Sequence, residues 1–114
     1  MSLAYENCVA CKPGSPEISV QEVSILSPDI PEWIILSTEA TRRLERQFTF
    51  RDFKKPMKLA NLIFDASEQE GHHPRLTVEW RKLTVSWSTY AIGGLHRNDF
   101  IMASKTDKLF DELP

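Results

Sequence analysis

The stretch EGHHPRLTVEWRKLTVSW, residues 70–87, carries the pattern that decides the fold. Apolar side chains alternate with polar ones over residues 76–80, and the same alternation returns over residues 83–87. A period of two is typical of strands that bury one face. Arg81–Lys82 is short enough to join the two strands as a tight hairpin. The side chains predicted to point inward are Leu76, Val78, Trp80, Leu83, Val85 and Trp87.

A second pair of strands precedes this hairpin in the chain. Residues 32–39, EWIILSTE, are rich in apolar and β-branched side chains, and residues 43–50, RLERQFTF, alternate apolar with polar. A short polar turn near Glu39–Thr41 separates the two stretches. We therefore expect a second antiparallel hairpin.

Helical periodicity occurs in the segments around these hairpins. Ser19 and Glu22 have the spacing of a capping box, and Pro28 stops the short helix that follows. Residues 98–113, NDFIMASKTDKLFDEL, predict a closing helix with Phe100 among its inward side chains.

The middle helix is predicted to begin at Asp52, as its N-cap, and to run to about Glu70. Gly71 then occupies the position at which glycine commonly ends a helix. The apolar side chains that share one face, and that we expect to be buried, are Phe53, Met57, Ala60 and Phe64, with Leu59 and Ile63 widening that face.

The element order is therefore α-β-β-α-β-β-α. It predicts the α+β class, with a single four-stranded antiparallel sheet and three helices on one face. Residues 1–18 are expected to form an extended leader, and residues 19–114 a single domain.

Composition narrows the class of function. The chain has 114 residues, a formal net charge of −2 and a hydrophobic fraction of 41%. A slightly acidic chain is a poor partner for nucleic acid or an anionic membrane. No apolar run approaches the roughly 20 residues that span a bilayer, and MSLAYENC lacks the features of a signal peptide. These observations predict a cytoplasmic protein without a membrane or nucleic-acid partner.

Cys8 and Cys11 form a single CxxC in a stretch with loop composition. Structural zinc sites usually need two further ligands, and redox CxxC motifs usually open a helix. A reduced, unmodified pair is the simplest interpretation, with metal binding and oxidation as alternatives.

The chemically reactive side chains gather where the middle helix ends. Glu68 and His72 are four residues apart and can share a helix face, and His73 follows directly. If the strands pair as predicted, residues 88–90 return beside them and add two hydroxyls and a phenol. Imidazole exchanges protons near neutrality, because its unperturbed pKa is about 6.5. Spacing alone leaves three interpretations open. The histidines could act in acid–base catalysis, they could donate hydrogen bonds to the carbonyls at the helix end, or they could bind a metal, although the HExxH order of such sites is missing.

A longer ordered pattern distinguishes these interpretations. It consists of Glu68, three residues, His72-His73-Pro74, five residues, Trp80, nine residues, Tyr90, eight residues and Asp99. This pattern resembles the signature of the pterin-4a-carbinolamine dehydratases. Similarity to that family extends from about Cys8 to Phe110, and LHRNDFIMASKTD resembles its bacterial members.

The resemblance implies the fold derived above, assembly into homodimers or homotetramers, and no metal or cofactor. It implies dehydration of 4a-hydroxytetrahydropterin to quinonoid dihydropterin, a step that recycles the cofactor of aromatic amino acid hydroxylases. The side chains implied as catalytic are His72, His73 and Tyr90. Those implied as substrate-binding are Glu68, Pro74, Ser88, Thr89 and Asp99.

Tyr90 departs from the family pattern, which usually has a third histidine at this position. A phenol with a pKa of about 10 is a poor base at neutral pH, although it can donate a hydrogen bond. We therefore expect a slower dehydratase that depends on His72 and His73. The alternative is a paralogue without this activity that acts through a protein partner, such as a hydroxylase or a transcription regulator.

Overall fold

The structure is a computed structural model that describes residues 3–10, 12–38 and 41–114. Seven main elements follow the predicted order α-β-β-α-β-β-α. They are α1 (Val20–Leu26), β1 (Ile34–Ser37), β2 (Arg42–Thr49), α2 (Lys54–Glu70), β3 (Arg75–Glu79), β4 (Lys82–Trp87) and α3 (Arg97–Asp111). Of the turn predicted between β1 and β2, residues 39 and 40 lie outside the described residues. Within the described ranges, no helix is both long and apolar enough to cross a bilayer.

The four strands form one antiparallel sheet in the order β1-β2-β4-β3. The two hairpins therefore meet through β2 and β4, and β1 and β3 are the edges. Leu44 pairs with Trp87 and Phe48 pairs with Leu83, and all four side chains are buried. The three helices pack on this apolar face, as the sequence predicts.

The closing helix supplies much of the core. Phe100, Ile101, Met102 and Ala103 are all 2% exposed or less, so one turn of α3 is buried around its whole circumference. His96 is the N-cap of this helix, and its side chain accepts a hydrogen bond from the Asn98 N–H. The start of α3 is thus held firmly beneath the end of β4.

The buried face of α2 is only partly the predicted one: Leu59, Ala60 and Ile63 are buried as expected, whereas the other three predicted side chains are exposed. Phe53, Met57 and Phe64 are 49%, 39% and 56% exposed. The side chains that face the core are Pro56, Leu59, Ala60, Ile63 and Ser67. Apolar residues occupy two adjacent stripes of this helix, and both stripes have helical spacing. Periodicity therefore could not decide which stripe packs on the sheet.

The helix begins at Lys54, with Phe53 at the N-cap position. Asp52, predicted as the N-cap, lies one residue earlier and still accepts a hydrogen bond from the Lys55 N–H at 3.1 Å. It therefore satisfies one of the free N–H groups of the first turn.

Trp80 is likewise exposed, although its place in the alternation predicts burial. Glu79 pairs with Lys82, so the two-residue turn is Trp80–Arg81 and not Arg81–Lys82. Arg81 adopts a left-handed φ of 68°, and Trp80 is 71% exposed at the tip of the hairpin. The turn takes Trp80 out of the strand before its side chain can reach the core. Trp87, in contrast, is fully buried.

Residues 3–10 pack against the domain through the start and middle of α3. Leu3 and Ala4 are 4% and 7% exposed, and the Lys105 ammonium donates to the Ala4 carbonyl at 2.8 Å. The Arg97 guanidinium donates to both carboxylate oxygens of Glu6, at 2.9 and 2.7 Å. This part of the predicted leader is therefore joined to the domain by burial and by charge pairing.

Candidate active site

A cavity of about 470 Å³ opens where the end of α2, the end of β4 and the first residues of the chain meet. This volume is in the usual range of small-molecule sites. The lining residues are Cys8, Val9, Ala10, Glu70, Gly71, His72, His73, Ser88, Thr89, Tyr90, Ala91 and Asn98. Both predicted histidines and residues 88–90 therefore line one cavity, as the sequence indicates.

Gly71 ends α2 and determines where the two histidines go. Its φ of 66° is left-handed, a conformation that glycine adopts without steric cost. The His72 N–H still donates to the Ser67 carbonyl, at 3.2 Å. The two imidazoles lie in different environments: the side chain of His72 is only 12% exposed, whereas that of His73 is 59% exposed.

His72 is held on two sides. Its Nε2 lies 2.6 Å from Oδ1 of Asp99, and its ring stacks on Trp87 with an interplanar angle of 9° and a centroid distance of 5.7 Å. Asp99 is fully buried. Its second oxygen accepts from the Thr89 hydroxyl at 2.7 Å and from the His96 N–H at 3.0 Å. The carboxylate thus fixes both the position of the imidazole and the nitrogen that carries its proton.

Trp87 is itself fixed by α3. Its Nε1–H donates to the Thr106 hydroxyl at 3.2 Å, and that hydroxyl donates to the Met102 carbonyl at 2.7 Å. These two hydrogen bonds fix the orientation of the indole ring on which His72 stacks, and they lie beneath the cavity. The sequence contains no signal for this role of Thr106, because a threonine that bonds to the carbonyl four residues earlier is common in helices.

Glu68 contacts His73 and not His72. Its Oε2 lies 2.6 Å from Nε2 of His73, and both side chains are more than half exposed. The predicted i, i+4 pairing with His72 is wrong, because Gly71 ends the helical register before His72. Each imidazole therefore has a carboxylate of its own, one buried and one in contact with solvent.

The other predicted site residues divide between the cavity and the layer behind it. Tyr90 is 90% exposed at the cavity rim, and the Thr89 hydroxyl is committed to Asp99. Among the described residues, the cavity lining does not include Glu68, Pro74 or Asp99. Asp99 contacts His72 from the layer behind the cavity.

The first residues of the chain form a wall that the sequence does not predict. The Cys8 N–H donates to Oε1 of Glu70 at 2.7 Å, and Asn98 forms hydrogen bonds with both the N–H and the carbonyl of Val9. Burial and the nearby Glu70 carboxylate raise the pKa of the Cys8 thiol to about 12. Cys8 is therefore a protonated thiol at neutral pH. Its CxxC partner, Cys11, lies outside the described residues.

In the part of the chain that the structure describes, no group of three or more His, Cys, Asp and Glu side chains could hold a metal ion. The polar side chains that line the cavity are two imidazoles, a phenol, two hydroxyls, the Glu70 carboxylate, the Asn98 amide and the Cys8 thiol. Such a set can move protons and donate hydrogen bonds to a bound organic molecule.

Comparison with known proteins identifies the family of the chain. The family model for pterin 4 alpha carbinolamine dehydratase matches residues 16–109. The chain belongs to this family. Two bacterial relatives, provisionally named pterin-4-alpha-carbinolamine dehydratases, come from Gloeobacter violaceus and Chlorobium luteolum. The first is 48% identical over 96% of this chain and 94% of its own, and the second is 46% identical over 93% of each.

A solved structure shares the family fold. The crystal structure of a transcriptional coactivator/pterin dehydratase from Brucella melitensis superposes with a TM-score of 0.74. The match covers 82% of this chain and 98% of that one, at 19% sequence identity. At this identity the likeness establishes the α+β architecture.

Proposed function

We propose that this protein removes water from 4a-hydroxytetrahydropterin to give quinonoid dihydropterin. One observation carries the proposal above the rest, namely that His72 and His73 line one cavity while each is paired with its own carboxylate. Family membership supplies the substrate class. The hydroxyl at C4a leaves as water while N5 loses a proton, so the reaction needs one proton donor and one proton acceptor.

We assign the acceptor role to His72. Asp99 accepts a hydrogen bond from Nε2 of His72, which keeps the proton on that nitrogen and leaves Nδ1 with a free lone pair. An imidazole in this tautomer can take the N5 proton, and the buried carboxylate then stabilises the imidazolium that forms. Asp99 acts through His72 and is a positioning residue.

His73 is then the proton donor to the departing hydroxyl. It is more exposed than His72, and its Nε2 lies 2.6 Å from the Glu68 carboxylate, which orients the ring. Exposure also allows His73 to regain its proton from water after each turnover. Tyr90, at the rim, can donate a hydrogen bond or cover one face of a flat ring.

Self-association is part of the proposal. The exposed apolar side chains of α2, Phe53, Met57 and Phe64, present an unpartnered stripe that a second copy of the chain can cover. This exposure favours α2 as the contact surface. Homodimers and homotetramers are both compatible with such a stripe.

The second candidate is an interaction protein without dehydratase activity. Tyr90 supports it, because a phenol that is 90% exposed replaces the third histidine that the family usually has. A hydroxylase or a transcription regulator would then be the partner. The Brucella protein is itself described as a transcriptional coactivator as well as a pterin dehydratase.

The deciding experiment mixes the purified protein with freshly generated 4a-carbinolamine and follows the quinonoid product by stopped-flow absorbance. We expect catalysis by the wild type, and a fall of roughly 10²-fold or more for His72→Ala and for His73→Ala. Gln69→Ala, at an exposed position of the same helix end, is the matched control. Unchanged rates in both histidine variants would refute the acid–base assignment, and a wild type without activity would favour the interaction protein.

A further inference from the structure

Asn98 holds the peptide groups of Val9 in a fixed direction. Its Oδ1 accepts from the Val9 N–H at 3.0 Å, and its Nδ2 donates to the Val9 carbonyl at 2.7 Å. Asn98 is 2% exposed, so the side chain that anchors this pairing belongs to the core, although Val9 itself is 63% exposed. Glu70 adds a third hydrogen bond, from the Cys8 N–H at 2.7 Å. A short piece of backbone is thereby built into the cavity wall with little freedom to move.

Peptide planarity determines where the neighbouring groups point. In a trans peptide the carbonyl and the N–H lie on opposite sides of the C–N bond. Because the N–H and the carbonyl of Val9 both point at Asn98, the Cys8 carbonyl and the Ala10 N–H both point the opposite way. Within the described part of the chain, neither group has a hydrogen-bond partner. Cys8, Val9 and Ala10 line the cavity, so a ligand that enters it can form hydrogen bonds with these two groups.

We propose that this free edge recognises the pyrimidine ring of the pterin, an inference that rests on the proposed function. The edge presents one acceptor and one donor, and a 2-amino-4-oxopyrimidine presents a donor and an acceptor in the complementary order. The Cys8 carbonyl accepts from the 2-amino group, and the Ala10 N–H donates to the 4-oxo group. Recognition is thus by main-chain atoms, with Asn98 as the positioning residue.

The same turn of α3 then aligns both halves of the substrate. Asn98 orients the wall that holds the pyrimidine ring, and the next residue, Asp99, orients the imidazole that acts at N5. A flat bicyclic ring held at one end by the wall has its reacting atoms at a fixed distance from His72. Such positioning lowers the entropic part of the barrier.

The test measures binding of two stable oxidised compounds by isothermal titration calorimetry. Pterin has the 2-amino-4-oxo pattern, whereas lumazine keeps the 4-oxo group and replaces the 2-amino group by a second oxo group. In lumazine a carbonyl would face the Cys8 carbonyl. We expect the wild type to bind pterin at least about tenfold more tightly than lumazine, since one hydrogen bond is lost and two acceptors are opposed.

Three variants locate the recognition. Asn98→Leu, which removes both hydrogen bonds to Val9, is expected to reduce the preference for pterin to about twofold or less. Ala10→Pro removes the N–H donor and is expected to weaken both compounds by roughly three- to tenfold. Ala10→Ser keeps the N–H and is the matched control, with affinities within about twofold of the wild type. Ala10 is exposed, so neither substitution there removes core packing.

Three results would overturn the inference. They are equal affinity of the wild type for both compounds, a preference that survives Asn98→Leu, and indistinguishable behaviour of Ala10→Pro and Ala10→Ser. If Asn98→Leu does not fold, the two Ala10 variants decide alone. None of these measurements needs turnover, so an active enzyme without the preference refutes only this inference. An inactive protein that shows the preference refutes only the proposed reaction.

Discussion

Nε2 of His72 lies 2.6 Å from Oδ1 of Asp99, a carboxylate with no exposure to solvent. The two residues are separated by 26 others in the chain and are brought together by the packing of the α3 start beneath the end of α2. A buried carboxylate needs partners, and here a hydroxyl, a backbone N–H and an imidazole satisfy its oxygens. The contact therefore stabilises the fold, and it also orients His72, the proposed base.

Asp99→Asn tests that support. The amide oxygen can still accept from the Thr89 hydroxyl and the His96 N–H, which leaves the amide NH₂ facing His72. Nε2 must then become an acceptor and Nδ1 must carry the proton, so the base loses its lone pair. We expect kcat to fall roughly 10²-fold or more with the fold retained, by stopped-flow absorbance and circular dichroism. Asp65→Asn, on the exposed face of α2, is the control, and full activity of Asp99→Asn would refute the tautomer argument.

Thr106→Val tests the layer beneath the imidazole. The two side chains have nearly the same shape, but valine leaves the Nε1–H of Trp87 buried without its acceptor. We expect the free energy of unfolding to fall by about 1–3 kcal/mol in urea titrations. Thr77→Val, on the outer face of β3, is the control and is expected to change stability by about 0.5 kcal/mol or less. Equal stability of the two variants would show that the Trp87 contact is unimportant.

Tyr90→His tests the departure from the family pattern. Imidazole exchanges protons readily near neutral pH, whereas a phenol serves mainly as a hydrogen-bond donor. We expect a higher dehydration rate for the variant, by about tenfold, with unchanged stability because Tyr90 is 90% exposed. Tyr5→His, at another exposed tyrosine, is the control. An equal or lower rate for Tyr90→His would show that the phenol already serves the reaction.

Cys8 provides a prediction about pH. Burial raises the pKa of its thiol from the ordinary value of about 9 to about 12, so the folded protein binds one more proton than the unfolded chain between these values. The contribution of Cys8 to stability therefore falls as pH rises from about 9 towards 12. We expect Cys8→Ala to lose less stability than the wild type over this interval, in urea titrations at several pH values.

The same raised pKa predicts slow chemistry at the thiol. In a Cys11→Ser background, iodoacetamide at pH 8 is expected to label Cys8 at least about tenfold more slowly than a free cysteine, because the thiolate is the reactive form. Labelling after unfolding in urea is the control. Rapid labelling of the folded protein would mean that Cys8 is neither buried nor protonated as described.

Phe64→Glu tests self-association through α2. A charge within the exposed apolar stripe would oppose contact with a second copy of the chain. We expect sedimentation to show an oligomer for the wild type and a smaller species for the variant. Ile25→Glu, at an apolar side chain of α1 that is 74% exposed, is the control and should leave the assembly intact. A monomeric wild type would remove the claim.

The sequence by itself determined the elements, their order and the place of the two histidines. Alternation with a period of two, a glycine at the end of α2 and the capping serine Ser19 before α1 are local signals, and the chain satisfies each of them with atoms close in sequence. Local backbone preference and burial of one face agree in these segments. The fold class could therefore be predicted without coordinates.

Only the tertiary structure decided which groups face each other across the fold. Exposure of Phe64 beside the buried Ile63, exposure of Trp80, and the pairing of His72 with Asp99 rather than Glu68 all depend on where another element packs. Spacing along the chain is degenerate for such choices, because two stripes of a helix or two carboxylates can fit one pattern equally well. The cavity wall formed by Val9 and Asn98 joins residues 89 positions apart, and no pattern in the local sequence predicts this contact. Packing lifts the degeneracy, since one arrangement alone buries the apolar surface while it pairs the buried polar atoms.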